Sequence, residues 1–550
     1  MVASSSAAAP LAVSYAQTNN KRAREQKANR HGVTRLDSMY DYIIVGAGSA
    51  GSVVAARLSE DPASSVLVLE GGPSDDLPEI AMPAATPTLW SGPLTWDSAT
   101  VPQQHAAQRV IPWPSGRTLG GSSSINGMIY MRGNKIDYDN WRDSYGCAGW
   151  GYLDILPYFM RAEDQQRGAS AYHGTGGPLR VEDQKYQHPL SRMWLEAAIA
   201  SGLPYNEDFN GDHQDGVGPY QMTQRDGRRW STADAYLRPA MQRPNLTVET
   251  DAYVAELILD RDRASGVRYL RNGAVREANA SREIIVALGA VKTPQLLMLS
   301  GIGSADQLRS LRIPVVVDSP SVGVGLQDHP MVLAGRRTPS VRNLWEEITP
   351  ENLHLWQRER RGPMATFGAD FGGFGRSFSD RMAPDLQFGA IPGPPPLPEF
   401  GPPTERAVGT LVGAVEVRSR GRVTLNSADP YAKPIVDPAY FGDEADLDVL
   451  VAGVRIAREI AECEPLAGVT AGEMMPGANV DDDEQIREWI RTTSGTMFHP
   501  TGTAAMGSNA EAVCDAELRV RGVEGLRIVD GVRNARDTAR KHQRPDHRHC

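Results

Sequence analysis

The strongest constraint on the fold of this chain lies between Tyr42 and Glu70. Tyr42-Ile43-Ile44-Val45 is a buried-strand run, Gly46-Ala47-Gly48-Ser49-Ala50-Gly51 follows at once, a helical stretch continues to Leu58, and a second strand, Val66 to Leu69, ends in Glu70. Glycines at this spacing allow a tight turn and close approach of the backbone to a pyrophosphate at the helix N-terminus, while an acid about 20 positions on can bind a ribose hydroxyl. A glycine-rich turn alone also joins strand to helix for packing reasons. Strand, turn, helix and terminal acid together predict a dinucleotide site, without distinguishing FAD from NAD.

The chain has 550 residues, 41% hydrophobic and 23% charged, enough for a large core divided between two domains. A formal net charge of -10 leaves no excess cation for a general nucleic-acid surface. No apolar run reaches the roughly 18 residues of a membrane span, so no integral membrane segment is expected. Cys147, Cys463, Cys514 and Cys550 show neither CxxC spacing nor the density of a disulfide framework, which points to reduced thiols in a cytoplasmic protein and to no metal site. Residues 1–38 are rich in Ala and Ser and then basic, through Lys21, Arg22, Arg24, Lys27 and Arg30, the composition of a transit peptide. Met39 stands immediately before the first strand and would serve as an initiator, so a disordered or mis-started extension is the preferred reading of 1–38.

Three further blocks carry chemistry. Gly116-Arg117-Thr118-Leu119-Gly120-Gly121-Ser122-Ser123-Ser124-Ile125-Asn126, followed by Tyr130-Met131-Arg132-Gly133, is a small-residue loop that can cradle part of a flavin nucleotide or be a flexible turn. Gly289 to Gly303 follows the strand Glu283 to Leu288 and has the spacing of an amphipathic helix packed on a sheet. Gly495-Thr496-Met497-Phe498-His499-Pro500-Thr501-Gly502-Thr503 contains the candidate catalytic residue, His499. An alcohol losing hydride from carbon must also lose its hydroxyl proton, and imidazole accepts a proton near neutral pH.

The first two blocks match, nearly letter for letter and in order, the two signatures of the glucose-methanol-choline (GMC) family of FAD-dependent oxidoreductases. Agreement continues through His173 to Leu179, Val322-Gly323, Leu326-Gln327-Asp328-His329 and Ser419 to Leu425, so the chain resembles that family over about residues 39–530. The resemblance implies an α/β fold: a doubly wound, Rossmann-like FAD-binding domain from 39–154, 226–309 and 486–530, and a second α+β substrate-binding domain on an antiparallel sheet from 155–225 and 310–485. The Pro-rich stretch Pro392 to Pro403 reads as a loop near the active site or a surface connector.

By the same resemblance Gly46, Gly48, Ser49, Ala50, Gly51 and Glu70 bind the ADP half of FAD, with Val254 near adenine and Asp530 approaching the pyrophosphate region. Arg117, Gly120, Gly121, Ser122, Asn126, Gly127, Met128 and Ile129 complete the cofactor-binding set. His499 is implied as base, with flavin N5 accepting hydride. Some relatives attach FAD through a histidine where this chain has Ile125, so the cofactor is expected to be noncovalent. The implied activity is oxidation of a primary aliphatic, aromatic or amino alcohol to an aldehyde, the acceptor that reoxidises the flavin being oxygen, a quinone or a redox protein. A hydroxynitrile lyase that holds FAD structurally and uses the same histidine is the alternative.

The resemblance stops after Asp530. The family continues with an apolar-proline stretch and then GN-x-NAP, in which an asparagine supplies the second catalytic side chain. Residues 531–550 have no apolar periodicity, and their His-rich end has the composition of a metal or polyanion site. One G inserted after the Asp530 codon accounts for them: synonymous codons for this tail permit, in the restored frame, the peptide ASVMPEIPRGNTNAPTIAI. A nucleotide insertion that replaced the C-terminus is therefore expected, leaving a chain inactive or nearly so.

Overall fold

A computed structural model describes residues 34–394 and 405–531; most of the extension 1–38, the Pro392–Pro403 stretch from 395 onwards and the tail beyond Gly531 lie outside the described residues. Ile43-Ile44-Val45 and Val66–Leu69 have no polar side chain to turn towards water, so they suit only strands covered on both faces, and all are buried. They form β1 (Thr34–Val45) and β2 (Val66–Leu69), paired in parallel with Ile44 opposite Val68 and joined through α1 (Ser49–Leu58). The same sheet takes in β3 (Leu246–Glu249), β4 (Ala252–Asp260), β5 (Arg263–Arg271), β6 (Ala274–Val286) and β7 (Leu526–Ile528). Its order is β3-β2-β1-β6-β5-β4, with β7 also paired to β6.

The side holding β3, β2, β1, the end of β6 and β7 is parallel, whereas β4, β5 and the start of β6 are an antiparallel meander. In such a doubly wound sheet, ligands bind beyond the C-terminal ends of the parallel strands. β1 begins at Thr34 rather than at Tyr42 because β6 is long enough to offer it partners back to Arg276. α2 (Gly289–Leu299) also departs from the expected amphipathic pattern: Val291, Leu296, Leu297 and Met298 are buried along with Thr293 and Gln295. It is covered by β4 on one side and by the strand Gly421–Thr424 on another, so little of it faces water.

A second sheet is antiparallel throughout, in the order Ala471–Met475, Pro330–Arg337, Ala407–Ala414, Leu386–Ile391, Phe371–Gly375, Gly216–Pro219. The helix Ala445–Ala461 lies on it, burying Leu450 and Val454; a Cβ on Gly453 would come within 2.4 Å of Val412, so only glycine permits this approach. The short strand Gly495–Thr496 pairs with Pro330–Met331 at one edge. No described helix is long and apolar enough to cross a membrane.

Candidate active site

The two glycine-rich segments meet. Gly46 turns the chain at φ +98°, and a Cβ on Gly51 would lie 1.9 Å from the Gly46 carbonyl, so both glycines are required by the protein's own packing. Gly48 differs. A Cβ there would meet nothing closer than 3.9 Å, which leaves approach by a ligand as the reason for glycine. Gly48 caps α1 without any side-chain bond, Ser49 is exposed and Ala50 partly so, and the amides of the first helical turn are open to an anion. Gly120 donates its N–H to the Ala47 carbonyl at 2.8 Å, and a Cβ on Gly121 would lie 2.7 Å from Gly48 Cα. Ser122 Oγ closes the loop by accepting from the Gly116 N–H at 3.1 Å.

Glu70 is buried at the end of β2, accepting from the amides of Ala47 (2.9 Å) and Gly72 (2.8 Å). Burial pushes its carboxyl up to about 7 against those bonds and the charge of Arg117. Each oxygen keeps a lone pair for a further donor such as a ribose hydroxyl. Arg117 and Lys292 both stand over the Trp96 ring, at 5.2 and 4.9 Å. Burial, then the like charges of Lys433 and Arg117, pull the Lys292 ammonium down to about 8, a strain that a bound anion would relieve. Val254, partly buried on β4, follows Tyr253, whose ring packs edge-on to Trp96 at 5.9 Å. Asp530 accepts from the Gly289 N–H (2.9 Å) and from Thr293 Oγ1 (2.6 Å), holding the start of α2. A turn shaped for close approach, open helix amides and crowded cations fit a dinucleotide.

Beyond this end lies a cavity of about 1520 Å³. Asn126, Gly127, Met128 and Ile129 line it on one side, His329 and His499 on another. Met128 takes φ +62°, its N–H donating to Asn126 Oδ1 at 3.1 Å. The histidines are brought together by zipping two extended segments: Gln327 and Thr501 exchange both backbone hydrogen bonds, the Met497 N–H donates to the His329 carbonyl at 2.9 Å, and Pro330 stands opposite Thr496. His329 Nδ1 and His499 Nδ1 are 3.0 Å apart, their rings at 85°.

Asp328 anchors the arrangement from behind. Its Oδ1 accepts from the His499 backbone N–H at 2.8 Å, and its Oδ2 accepts from Thr496 Oγ1 at 2.5 Å and from the Tyr440 hydroxyl. Tyr440 in turn accepts from Trp113 Nε1 at 3.1 Å. Burial raises the Asp328 carboxyl above the usual carboxylate range, while these donors and the charge of His499 act the other way. Burial lowers His499 below its ordinary 6.5, opposed by the charge of Asp328. His329 is pushed down to about 3, first by burial and then by the neighbouring His499. Protein surrounds both rings, yet the cavity leaves His499 exposed and His329 partly so, and the depression is therefore greatest when cofactor and substrate displace water from it. At neutral pH both imidazoles are uncharged, and one nitrogen of the touching pair donates while the other accepts.

Sequence reading singled out His499 but not Asp328, Tyr440 or Thr496, and took His329 only as part of a matching motif. It also passed over Arg229, a buried side chain that donates to Asn126. The Gln327-Asp328-His329 run was the available signal for the first group. Nothing in the local sequence marks Tyr440 or Arg229.

Two family models, both described as GMC oxidoreductase, match residues 40–331 and 417–532. The chain is 41% identical over 503 residues to the protein named alcohol dehydrogenase [acceptor] of Pseudomonas putida, covering 90% of this chain and 91% of that one. It is 41% identical over 507 residues to mitochondrial choline dehydrogenase of Homo sapiens, covering 89% and 85%. Among solved structures, pyridoxine 4-oxidase from Mesorbium loti superposes with a TM-score of 0.81 at 33% identity, over 90% of this chain and 94% of that one. An Aspergillus oryzae formate oxidase variant, solved to show the effect of a mutation on FAD modification, gives a TM-score of 0.85 at 27% identity, over 91% and 94%.

Proposed function

The chain belongs to the GMC oxidoreductase family, an FAD-dependent family of oxidoreductases, and from that premise we propose that it oxidises a primary alcohol to an aldehyde with His499 as base. The observation that carries this reading is an uncharged imidazole facing a cavity that the Asn126–Ile129 loop also lines, itself continuous with the loop that locks onto the GxGxxG turn. The oxidation removes two electrons and two protons: His499 takes the hydroxyl proton, and FAD, held by the Gly46–Gly51 turn and Glu70, would supply the two-electron acceptor for the remaining hydride.

With Nδ1 of His499 donating to Nδ1 of His329, the other ring nitrogen of His499 keeps its lone pair for that proton. The Asp328 carboxylate then stabilises the imidazolium that forms, since its charge favours the protonated ring. Its bond to the His499 backbone fixes where the ring stands, and misplacement by about 1 Å can cost on the order of a hundredfold. Apolar side chains including Trp90, Phe367 and Phe498 wall the cavity and limit water around the reacting carbon.

We divide the chain into an FAD-binding part, 39–154, 226–309 and 486–530, and a substrate-binding part, 155–225 and 310–485. The segment around Gly495 crosses between them, because it pairs with the second sheet. Free thiols at Cys147 and Cys463 support a cytoplasmic location. Ile125 offers no nucleophile, so acid denaturation should release FAD into the supernatant; flavin left in the pellet would contradict noncovalent binding. Anaerobic mixing with a series of primary alcohols should bleach the bound flavin. Unbleached flavin together with cleavage of a cyanohydrin would replace this reading by the lyase alternative.

A further inference from the structure

Arg229, on the short strand Arg228–Arg229, is 2% exposed and has an unusual set of partners. Nε donates to the Ile80 carbonyl at 2.9 Å and Nη2 to Thr86 Oγ1 at 2.7 Å. Nη1 donates to the Asn126 carbonyl at 2.6 Å and to Asn126 Oδ1 at 2.9 Å, and reaches the Ser123 carbonyl at 3.4 Å. Every one of these acceptors is a neutral oxygen. Asp234 acts on the guanidinium only through space and is itself bonded to Ser231 and paired with Arg238.

A buried cation without an adjacent anion is costly, and in a low-dielectric interior its field reaches further than it would in water. Burial draws the guanidinium down to about 9, which still leaves it charged at neutral pH. The two segments it ties together both reach the cavity, one through Pro87 and Trp90, the other through Asn126 and Gly127. Arg229 itself does not line the cavity, so its charge stands one residue behind the wall.

We propose that Arg229 is a positioning residue that also acts electrostatically, clamping Asn126 in place and setting a fixed positive charge behind the cofactor-facing loop, which biases FAD towards its reduced state. His499 takes the hydroxyl proton, and FAD held against Asn126 would take up the hydride, so the added negative charge would fall on the side of the cavity where Arg229 stands behind the wall. The inference rests on Asn126 facing FAD and not on an alcohol being the substrate. Wild-type protein that retains no FAD would sink that assignment, which a flavin spectrum shows before any variant is made.

The test is the equilibrium of flavin reduction, titrated spectroscopically against a reference dye in wild type, Arg229→Gln, Arg229→Lys and Thr86→Val. Arg229→Gln should shift the equilibrium at least tenfold towards oxidised flavin, about 30 mV for a two-electron couple. Arg229→Lys, which keeps the charge, should stay within about threefold of wild type, and Thr86→Val, which removes one acceptor only, should release FAD faster with the equilibrium unchanged. An FAD-bound Arg229→Gln protein with the wild-type equilibrium overturns the proposal. Should Arg229→Gln fail to fold, the remaining variants decide. A tenfold shift in either would show that bonding geometry and not charge sets the equilibrium, and Arg229→Met, which also removes the charge, then stands in for Arg229→Gln, a wild-type equilibrium in it overturning the proposal.

Discussion

At the dinucleotide end of the cavity the decisive contacts are made by backbone amides and glycines, and at the catalytic end by a side-chain carboxylate that gathers groups far apart in sequence. Ala47 bonds to Glu70 across 23 positions, and Gly121 comes so close to Gly48 that a Cβ on Gly121 would lie 2.7 Å from the Gly48 Cα. His499 takes its place from Asp328, 171 positions away, and from Thr496 and Tyr440, which share the same carboxylate. A backbone site tolerates change in most side chains, its glycines and the Glu70 carboxylate excepted. A side-chain site tolerates change in the backbone's path so long as the carboxylate and imidazoles stay in reach. The first should therefore fail completely when one atom is added, and the second by degrees as individual groups are removed.

The largest expected effect tests the first half of that contrast. Gly48→Val should fold, since the protein leaves room for its Cβ, and should bind no FAD, because the added methyls occupy the space of the approaching cofactor. Full flavin content in the purified variant would remove the site assignment, and an unfolded variant would show that Gly48 serves packing as Gly51 does. The second effect concerns the segment after Asp530. The chain leaves the described region beside the catalytic turn, where a Cβ on Gly531 would meet Thr501 at 3.7 Å. Replacing the residues after Asp530 by ASVMPEIPRGNTNAPTIAI should raise alcohol-dependent flavin reduction by roughly a hundredfold or more, by supplying a second polar group to hold the hydroxyl. Equal rates with either terminus would end the frame-shift account and make His542 the first candidate for completing the site.

In the repaired protein, His499→Ala should slow flavin reduction by roughly a hundredfold or more and leave FAD content unchanged. Undiminished reduction would transfer the role of base elsewhere, with His329 nearest. The smallest effect sharpens the graded side of the contrast. The base must be uncharged, so the rate of reduction should rise with pH and level off, with its inflection below the ordinary 6.5 because burial lowers His499. Asp328→Asn removes the charge that favours the imidazolium, so the inflection should move further towards acid. The amide would also turn a donor towards the donors of Thr496, Tyr440 or the His499 backbone, a cost of about 1–3 kcal/mol in stability. An inflection displaced to higher pH would refute the role given to Asp328.

The two regions also differ in how far they could be read without coordinates. Turn, helix and acid from Gly46 to Glu70 follow one another along the chain, and their spacing is the chemistry, so the dinucleotide half was legible. His499 was legible through its neighbours, but its orientation was not, because the partner that fixes it lies in a segment that pairs with it only once the second sheet has formed. The expectation of an amphipathic α2 failed for a related reason: periodicity reports one covered face, and the strand Gly421–Thr424 that covers another comes from far along the chain.

The sequence by itself determined the parallel strands, the two glycine loops, the choice of His499 as the candidate base and the absence of a nucleophile at Ile125, because each depends on residues within a few turns of one another or on a single side chain. Tertiary structure alone decided that Gly121 closes onto Gly48, that Asp328 gathers Thr496, Tyr440 and the His499 backbone, and that a guanidinium bonded only to neutral oxygens stands behind Asn126. Those facts concern distances and desolvation between groups separated by up to hundreds of residues, which no local pattern of amino acids records until the core has closed around them.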